Sequence, residues 1–322
     1  MPTFIGHSEV KTFLESKVTL SGEAAQKHRD QVNGLRDRLK NHIAANPGFS
    51  LVKMLHSGSV AKGTALKSVN DLDVAVYVKK EDSPESENEL IPWFSARLKE
   101  ANPNMGSHQF VENDHSVTVS FSGSGLDVDV VPVLYEGDAN DCGYLVPRGS
   151  AERVLTSIPL HLQFIRSRKN RYPHFVAIVR LAKWWANLQK DEDTEDVFRC
   201  KSFLLELLVA HLADEGLDLS DYPEALNEVL TYIVKTGLLE RIVFNDYYPV
   251  SEAAESPEGS IAVFDPVNPE NNICSSYSDA QRRELVRRAE LAADAIDEAN
   301  YSNTKGRAVE CWQRVLGSAF RG

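Results

Sequence analysis

Apolar and polar positions follow two different periods along this chain, and the change comes near residue 151. Ser21 opens a segment in which Val32, Leu35, Leu39 and Ile43 share one face. That spacing predicts an amphipathic helix, and Asn46-Pro47-Gly48 is placed to stop it. A short apolar run from Leu51 then leads into "HSGSVAKGTALKSVNDLDVAVYV", residues 56–78. Within "DLDVAVYV" the period is two. Leu72, Val74, Val76 and Val78 point one way, while Asp71, Asp73, Ala75 and Tyr77 point the other. This is a half-buried strand carrying two carboxylates on one face. "SVTVSFSGSGLDVDVVPV" follows as a β-hairpin turning at Gly123-Ser124-Gly125. Its second arm again sets Leu126, Val128 and Val130 against Asp127 and Asp129.

Past residue 151 the pattern becomes helical. "HFVAIVRLAKWWANLQK" and "SFLLELLVAHLADEG" are two long helices, and 222–244 and 279–299 are two more. The acidic run at 191–196 reads as a solvated loop, and no internal repeat is present. The expected fold class is α+β. A catalytic lobe of mixed sheet and helices spans 1–150, including the N-terminal spine helix. A helical lobe spans 151–322, with the active site in a cleft between the two.

Composition narrows the function without choosing it. The chain has 322 residues, 42% hydrophobic and 25% charged, ordinary values for a globular protein with a sizeable core. A formal net charge of −12 argues against non-specific binding along long nucleic acid. The four cysteines, Cys142, Cys200, Cys274 and Cys311, form no C-x-x-C, so neither a zinc site nor a disulfide framework is expected. No signal peptide and no membrane-length apolar run is evident, and a cytoplasmic setting is expected.

The chemistry lies in the Gly-Ser and aspartate segment. Gly58 and Gly63 have the separation of a phosphate-binding P-loop, but Thr64 stands where that motif needs its lysine. A P-loop is therefore excluded. Two carboxylates at i and i+2 on a strand repel one another, and each raises the other's pKa. A divalent cation removes that conflict. Mg²⁺ takes oxygen ligands and keeps room for water and substrate phosphates. The plain alternative is that Asp71 and Asp73 merely start a strand beside Asn70, as turn residues do. Gly58-Ser59 upstream and a later acidic strand weigh against that alternative.

This arrangement resembles the nucleotidyltransferase superfamily related to DNA polymerase beta. Its members have a Gly-Ser at a helix start, a D-x-D on the next strand and a third Asp on a later strand. The third ligand is Asp127 or Asp129. Asp129 runs into Val130-Val131-Pro132, matching the family's Asp, two apolar residues and proline, and is preferred. "RLAKWWANL" and "KSFLLELLVAHL" resemble helices of oligoadenylate synthetases and cyclic GMP–AMP synthase. There the resemblance assigns Lys183 and Ser202 to the triphosphate and Phe203 to stacking on the base. A phenylalanine at helix spacing would otherwise be a plain core residue. "FDPVNPENNI", 264–273, resembles a late Asp-Pro…Pro…Asn segment of the same fold.

The resemblance is strongest to bacterial cGAS/DncV-like nucleotidyltransferases (CD-NTases) of anti-phage (CBASS) operons. Within these, "GSGLDVDVVPVLY", "SIPLHLQFI" and "DPVNPENN" look like clades C and D, which are encoded beside HORMA-domain regulators. The likeness implies two Mg²⁺ ions (or Mn²⁺) held by Asp71, Asp73 and Asp129. It implies triphosphate contacts from Gly58, Ser59, Lys183 and Ser202. The implied substrate is ATP, with other NTPs open, and the implied product is a cyclic tri-adenylate. A HORMA activator and an AAA+ remodeller are implied as partners. Nothing has the Cys/His spacing of the animal sensor's zinc clamp, so direct nucleic-acid sensing by that route is not expected. Two rivals remain open. One is a CCA-adding or poly(A) polymerase-like RNA nucleotidyltransferase, and the other is a catalytically silent nucleotide-binding protein.

Overall fold

The computed structural model describes residues 3–45, 51–68, 71–150, 152–255 and 258–322, with Asp71 described by its backbone alone. Asn46-Pro47-Gly48, expected to stop the first long helix, lies outside the described residues. The chain forms two compact units, Leu20–Ile165 and a second made of Met1–Thr19 with Arg166–Gly322. In chain order, helix α1 (His7–Phe13) and a π-helical turn (Leu14–Val18) precede α2 (Gly22–Ala45). Then come β1 (Leu51–Ser57), α3 (Gly58–Lys62), β2 (Asp71–Lys79) and α4 (Leu90–Ala101). Strands β3 (Phe110–Glu112), β4 (Val117–Phe121), β5 (Leu126–Tyr135), β6 (Gly143–Leu145) and β7 (Val154–Thr156) follow. The remaining helices are α5 (Ile158–Arg171), α6 (Phe175–Asp191), α7 (Ser202–Asp214), α8 (Tyr222–Thr236), α9 (Asp279–Asn300) and α10 (Lys305–Leu316).

In the Leu20–Ile165 unit the described strands make one mixed sheet ordered β1-β2-β5-β4-β3, with β6 on β5 and β7 on β6. β2 and β5 run parallel, and β5 and β4 form the expected antiparallel hairpin, Phe121 opposite Leu126. Gly125 at φ +65° supplies the left-handed residue that the turn needs. Period-two alternation sorts the two faces. Leu72, Val74, Val76, Val128, Val130, Val117 and Val119 pack in one core with Val32, Leu35 and Leu39 of α2. Each such side chain, almost wholly withdrawn from water, contributes roughly 1.5–3 kcal/mol of hydrophobic stabilisation. The same core takes Ile91, Phe94, Leu98 and Ala101 of α4. The α2 stripe is the expected one, and Ser21 caps it by accepting the Ala24 N–H at 3.2 Å. Helix α4 was not anticipated, although its 91–94–98–101 spacing is helical.

The second unit is helical, with Trp185 and Trp312 fully buried. Phe13 of α1 packs against the rings of Trp184 and Phe320, with centroids 5.6 and 5.4 Å away. Helices α8, α9 and α10 start on Asp221, Ser278 and Thr304, each accepting a first-turn N–H. The helix expected over 222–244 is shorter than that. It stops at Thr236, because Gly237 (φ +58°) and Leu238 (φ +56°) are both left-handed. Ile242 then forms a bridge to Val263. No helix among the described residues is long and apolar enough to cross a membrane.

Candidate active site

Strand register brings the catalytic candidates into one row. Across β1, β2, β5 and β4, Ser57 is opposite Asp73, Asp73 opposite Asp129, and Asp129 opposite Thr118. One step along, the Asp71 backbone is opposite Asp127, which is opposite Ser120. All of these positions belong to the face turned away from the α2–α4 core. The polar row is therefore held by its own strands' buried valines. Asp129 is half-buried, whereas Asp127 is exposed. Asp73 is also half-buried.

The Gly-Ser turn stands directly against this row. Gly58 follows Ser57 at the end of β1, has φ +65° and begins α3. A Cβ placed on it would lie 1.7 Å from Oδ2 of Asp73, so only glycine lets the backbone come this close. Gly63, at φ +75°, ends the short helix, and the Thr64 N–H returns to the Ser59 carbonyl at 2.8 Å. Ser59 is half-buried.

Asp129 has a defined neighbour. Its Oδ1 accepts a short hydrogen bond from the Thr118 hydroxyl. Thr118 Oγ1 in turn accepts from Nδ2 of Asn113 at 2.8 Å, and the same amide reaches Ser116 Oγ at 3.2 Å. Nothing in the sequence patterning marks Thr118. Only the register of β4 on β5 puts it opposite the aspartate.

Like charges directly opposite on paired strands oppose one another, and hard carboxylate oxygens are the donors a Mg²⁺ ion takes. The donor set at Asp73 and Asp129 thus fits a divalent cation. Among the described residues no cluster of three or more His, Cys, Asp or Glu side chains is close enough to hold a metal. Asp71, the expected third donor, has its backbone at the start of β2 and its side chain outside the description.

The remaining candidates belong to the helical unit. Ser202 is the first residue of α7 and is exposed, while Phe203 beside it is half-buried. Lys183 on α6 is only 3% exposed, and its Nζ is 2.5 Å from Oε1 of Glu206 on α7. Its ammonium does not extend to solvent. Glu206 was not anticipated. A lone carboxylate in "SFLLELLVAHL" and a lone lysine in "RLAKWW" were the available signal, since buried charges need partners.

The 264–273 segment is a hydrogen-bonded loop. Asp265 accepts the Val267 N–H at 2.8 Å and the Asn271 amide at 3.1 Å. Asn272 ties together Val263, Cys274, Glu258 and Ile261. Lys201, the residue before α7, donates to the Ile273 carbonyl at 2.6 Å, and burial lowers its pKa. The loop therefore braces the start of α7.

The mixed sheet aligns Asp73 and Asp129 of neighbouring strands beside the Gly-Ser turn, the arrangement on which the resemblance to polymerase beta-like nucleotidyltransferases rests. Residues 6–162 match the Second Messenger Oligonucleotide or Dinucleotide Synthetase (SMODS) domain. The Cyclic AMP-AMP-AMP synthase of Escherichia coli (strain MS 115-1) is 45% identical over 319 residues, 99% of this chain and 98% of that protein. A structure of E. coli MS115-1 CdnC with ATP superposes with a TM-score of 0.90 at 45% identity, covering 99% of this chain and 100% of the other. A CdnC complex with HORMA-deltaN gives 0.89, covering 99% of both chains. The chain belongs to the CD-NTase family of nucleotidyltransferases.

Proposed function

We propose that the protein joins ATP into a cyclic tri-adenylate second messenger in CBASS anti-phage signalling, with Asp71, Asp73 and Asp129 as its catalytic carboxylates. The carrying observation is the Asp73–Asp129 pair, aligned across parallel strands with Gly58 against it. Magnesium ions at this site would activate the attacking ribose hydroxyl and stabilise the leaving pyrophosphate. On this reading Asp129 completes the attacking site and helps take the hydroxyl proton. The ribose oxygen then bonds to the α-phosphorus, the α–β anhydride breaks, and pyrophosphate departs. Gly58 and Ser59 bind the triphosphate with Ser202, and Phe203 stacks on the base. Stacking alone tolerates every base, so the preference for adenine rests on the named relative. Lys183 joins the triphosphate set by resemblance. With its ammonium on Glu206, that contact requires the pair to be shared or exchanged.

On this reading Asp127→Asn leaves most activity, because Asp127 is exposed and one step off the Asp73 row. Asp129→Asn abolishes it. Steady-state product formation by the two variants decides the third ligand, and a dead Asp127→Asn beside an active Asp129→Asn reverses the assignment.

The partner reading follows the CdnC–HORMA complex. A cognate HORMA-domain protein binds and activates the enzyme, and an AAA+ remodeller reverses the association. The test is incubation of the full chain with ATP and Mg²⁺, with and without the HORMA protein, followed by phosphatase treatment and mass measurement. A phosphatase-resistant product of three AMP units, raised by the HORMA protein, is expected. A phosphatase-sensitive linear ladder would refute cyclisation, and equal yields with and without the HORMA protein would refute the activator role.

A further inference from the structure

We propose that Thr118 is a positioning residue for Asp129 and that Asn113 sets the direction of the Thr118 proton. This rests on the reading of Asp129 as a catalytic carboxylate. An ionised carboxylate only accepts hydrogen bonds, whereas a hydroxyl has one proton to give and two lone pairs. The Asn113 amide donates into one lone pair of Thr118 Oγ1. The single Thr118 proton is thereby directed to Asp129 Oδ1. Were the amide reversed, its oxygen would compete with the aspartate for that proton. The chain Asn113 to Thr118 to Asp129 thus runs in one direction and ends on the reacting group.

The strand makes the arrangement rigid. Thr118 is β-branched, which restricts its χ1, and its neighbours Val117 and Val119 are fully buried on the opposite face. The residue cannot drift without pulling core valines. The hydrogen bond to Oδ1 restrains rotation of the carboxylate, which would orient its remaining lone pairs toward a bound cation and the ribose hydroxyl. Thr118 acts through Asp129. Hydrogen-bond partners of metal-binding carboxylates typically matter by 10–100-fold, because they orient the donor oxygens.

The test compares Thr118→Val, which keeps shape and loses the hydroxyl, with Thr118→Ser, which keeps the hydroxyl. Three quantities are read: kcat and KM for ATP, the affinity for Mn²⁺ alone followed by its electron paramagnetic resonance signal, and thermal unfolding. Thr118→Val is expected to lose roughly 10–100-fold in kcat and to bind Mn²⁺ more weakly by a similar factor. KM for ATP and the unfolding midpoint should stay near those of the parent protein. Thr118→Ser should recover most of both losses. Asn113→Asp, on an exposed residue, should lower kcat in the same direction, since its oxygens compete for the Thr118 proton. Parental kcat and Mn²⁺ affinity in Thr118→Val would overturn the proposal. Equal losses in the Val and Ser variants would also overturn it, by showing a packing role. If Thr118→Val does not fold, Asn113→Asp decides, and a parental kcat there overturns it. Full activity of Asp129→Asn would instead remove the reading on which the proposal rests.

Discussion

Asp73→Asn is expected to give a folded protein, at least as stable as the parent, that makes essentially no product. The side chain stands opposite Asp129 on the neighbouring strand and against the backbone of Gly58. Two carboxylates so placed oppose each other until a cation joins them. Replacing one with an amide of the same shape removes the repulsion, so the unfolding midpoint should stay or rise. The strand itself is untouched, because Leu72, Val74 and Val76, at 3%, 0% and 0% exposure, face the other way. Activity behaves oppositely. The lost charge weakens every cation and proton interaction of the site, and a fall of roughly 10²–10³-fold in kcat is the scale for removing a preorganised electrostatic group. Stability and activity moving apart is the signature of a functional carboxylate. Substantial product from a correctly folded Asp73→Asn protein would sink the assignment.

What the sequence made readable follows from the range over which each signal acts. The "DLDVAVYV" and "LDVDVV" alternations are local, and the structure sets Val74, Val76, Val78, Val128 and Val130 in the core and Asp73, Asp127 and Asp129 on the other face. The α2 stripe and its Ser21 cap are local as well. The failures are where local pattern met something else. Leu239 and Ile242 continue an apolar periodicity, but the left-handed Gly237 and Leu238 had already ended the helix. Phe13 meets Trp184 and Phe320 only through the folded chain. Thr118 is invisible for the same reason, since its meaning comes from a partner in another strand. The Lys183–Glu206 pair also joins two helices. On periodicity alone each residue reads as an odd polar position in an apolar helix, and their pairing becomes visible only in the folded chain.

Lys183→Ala is expected to destabilise the protein severely, before any effect on nucleotide is considered. Lys183 and Glu206 are 3% and 2% exposed, with Nζ and Oε1 2.5 Å apart. Removing the lysine takes the partner ammonium away from a carboxylate on a helix whose Leu204, Leu205, Leu207 and Leu208 are all buried. Breaking a buried pair from one side costs about 3–5 kcal/mol, a large share of the roughly 5–15 kcal/mol that holds a domain folded. The denaturation midpoint should drop accordingly. Replacing both partners by apolar residues of similar volume, as in Lys183→Met with Glu206→Leu, should restore much of the loss because both buried charges are then removed together. That double variant isolates the chemistry. If Lys183 also reaches the triphosphate, the restored protein loses a charge-assisted hydrogen bond worth about 1.5–3 kcal/mol, or roughly 10–100-fold in KM for ATP. Glu206→Gln keeps a carbonyl oxygen for the ammonium and leaves the lysine charged, so its KM should remain near the parental value. A Lys183→Ala protein as stable as the parent would contradict the buried pair. A stable double variant with parental KM would make Lys183 a purely structural partner of Glu206 and remove it from the nucleotide site.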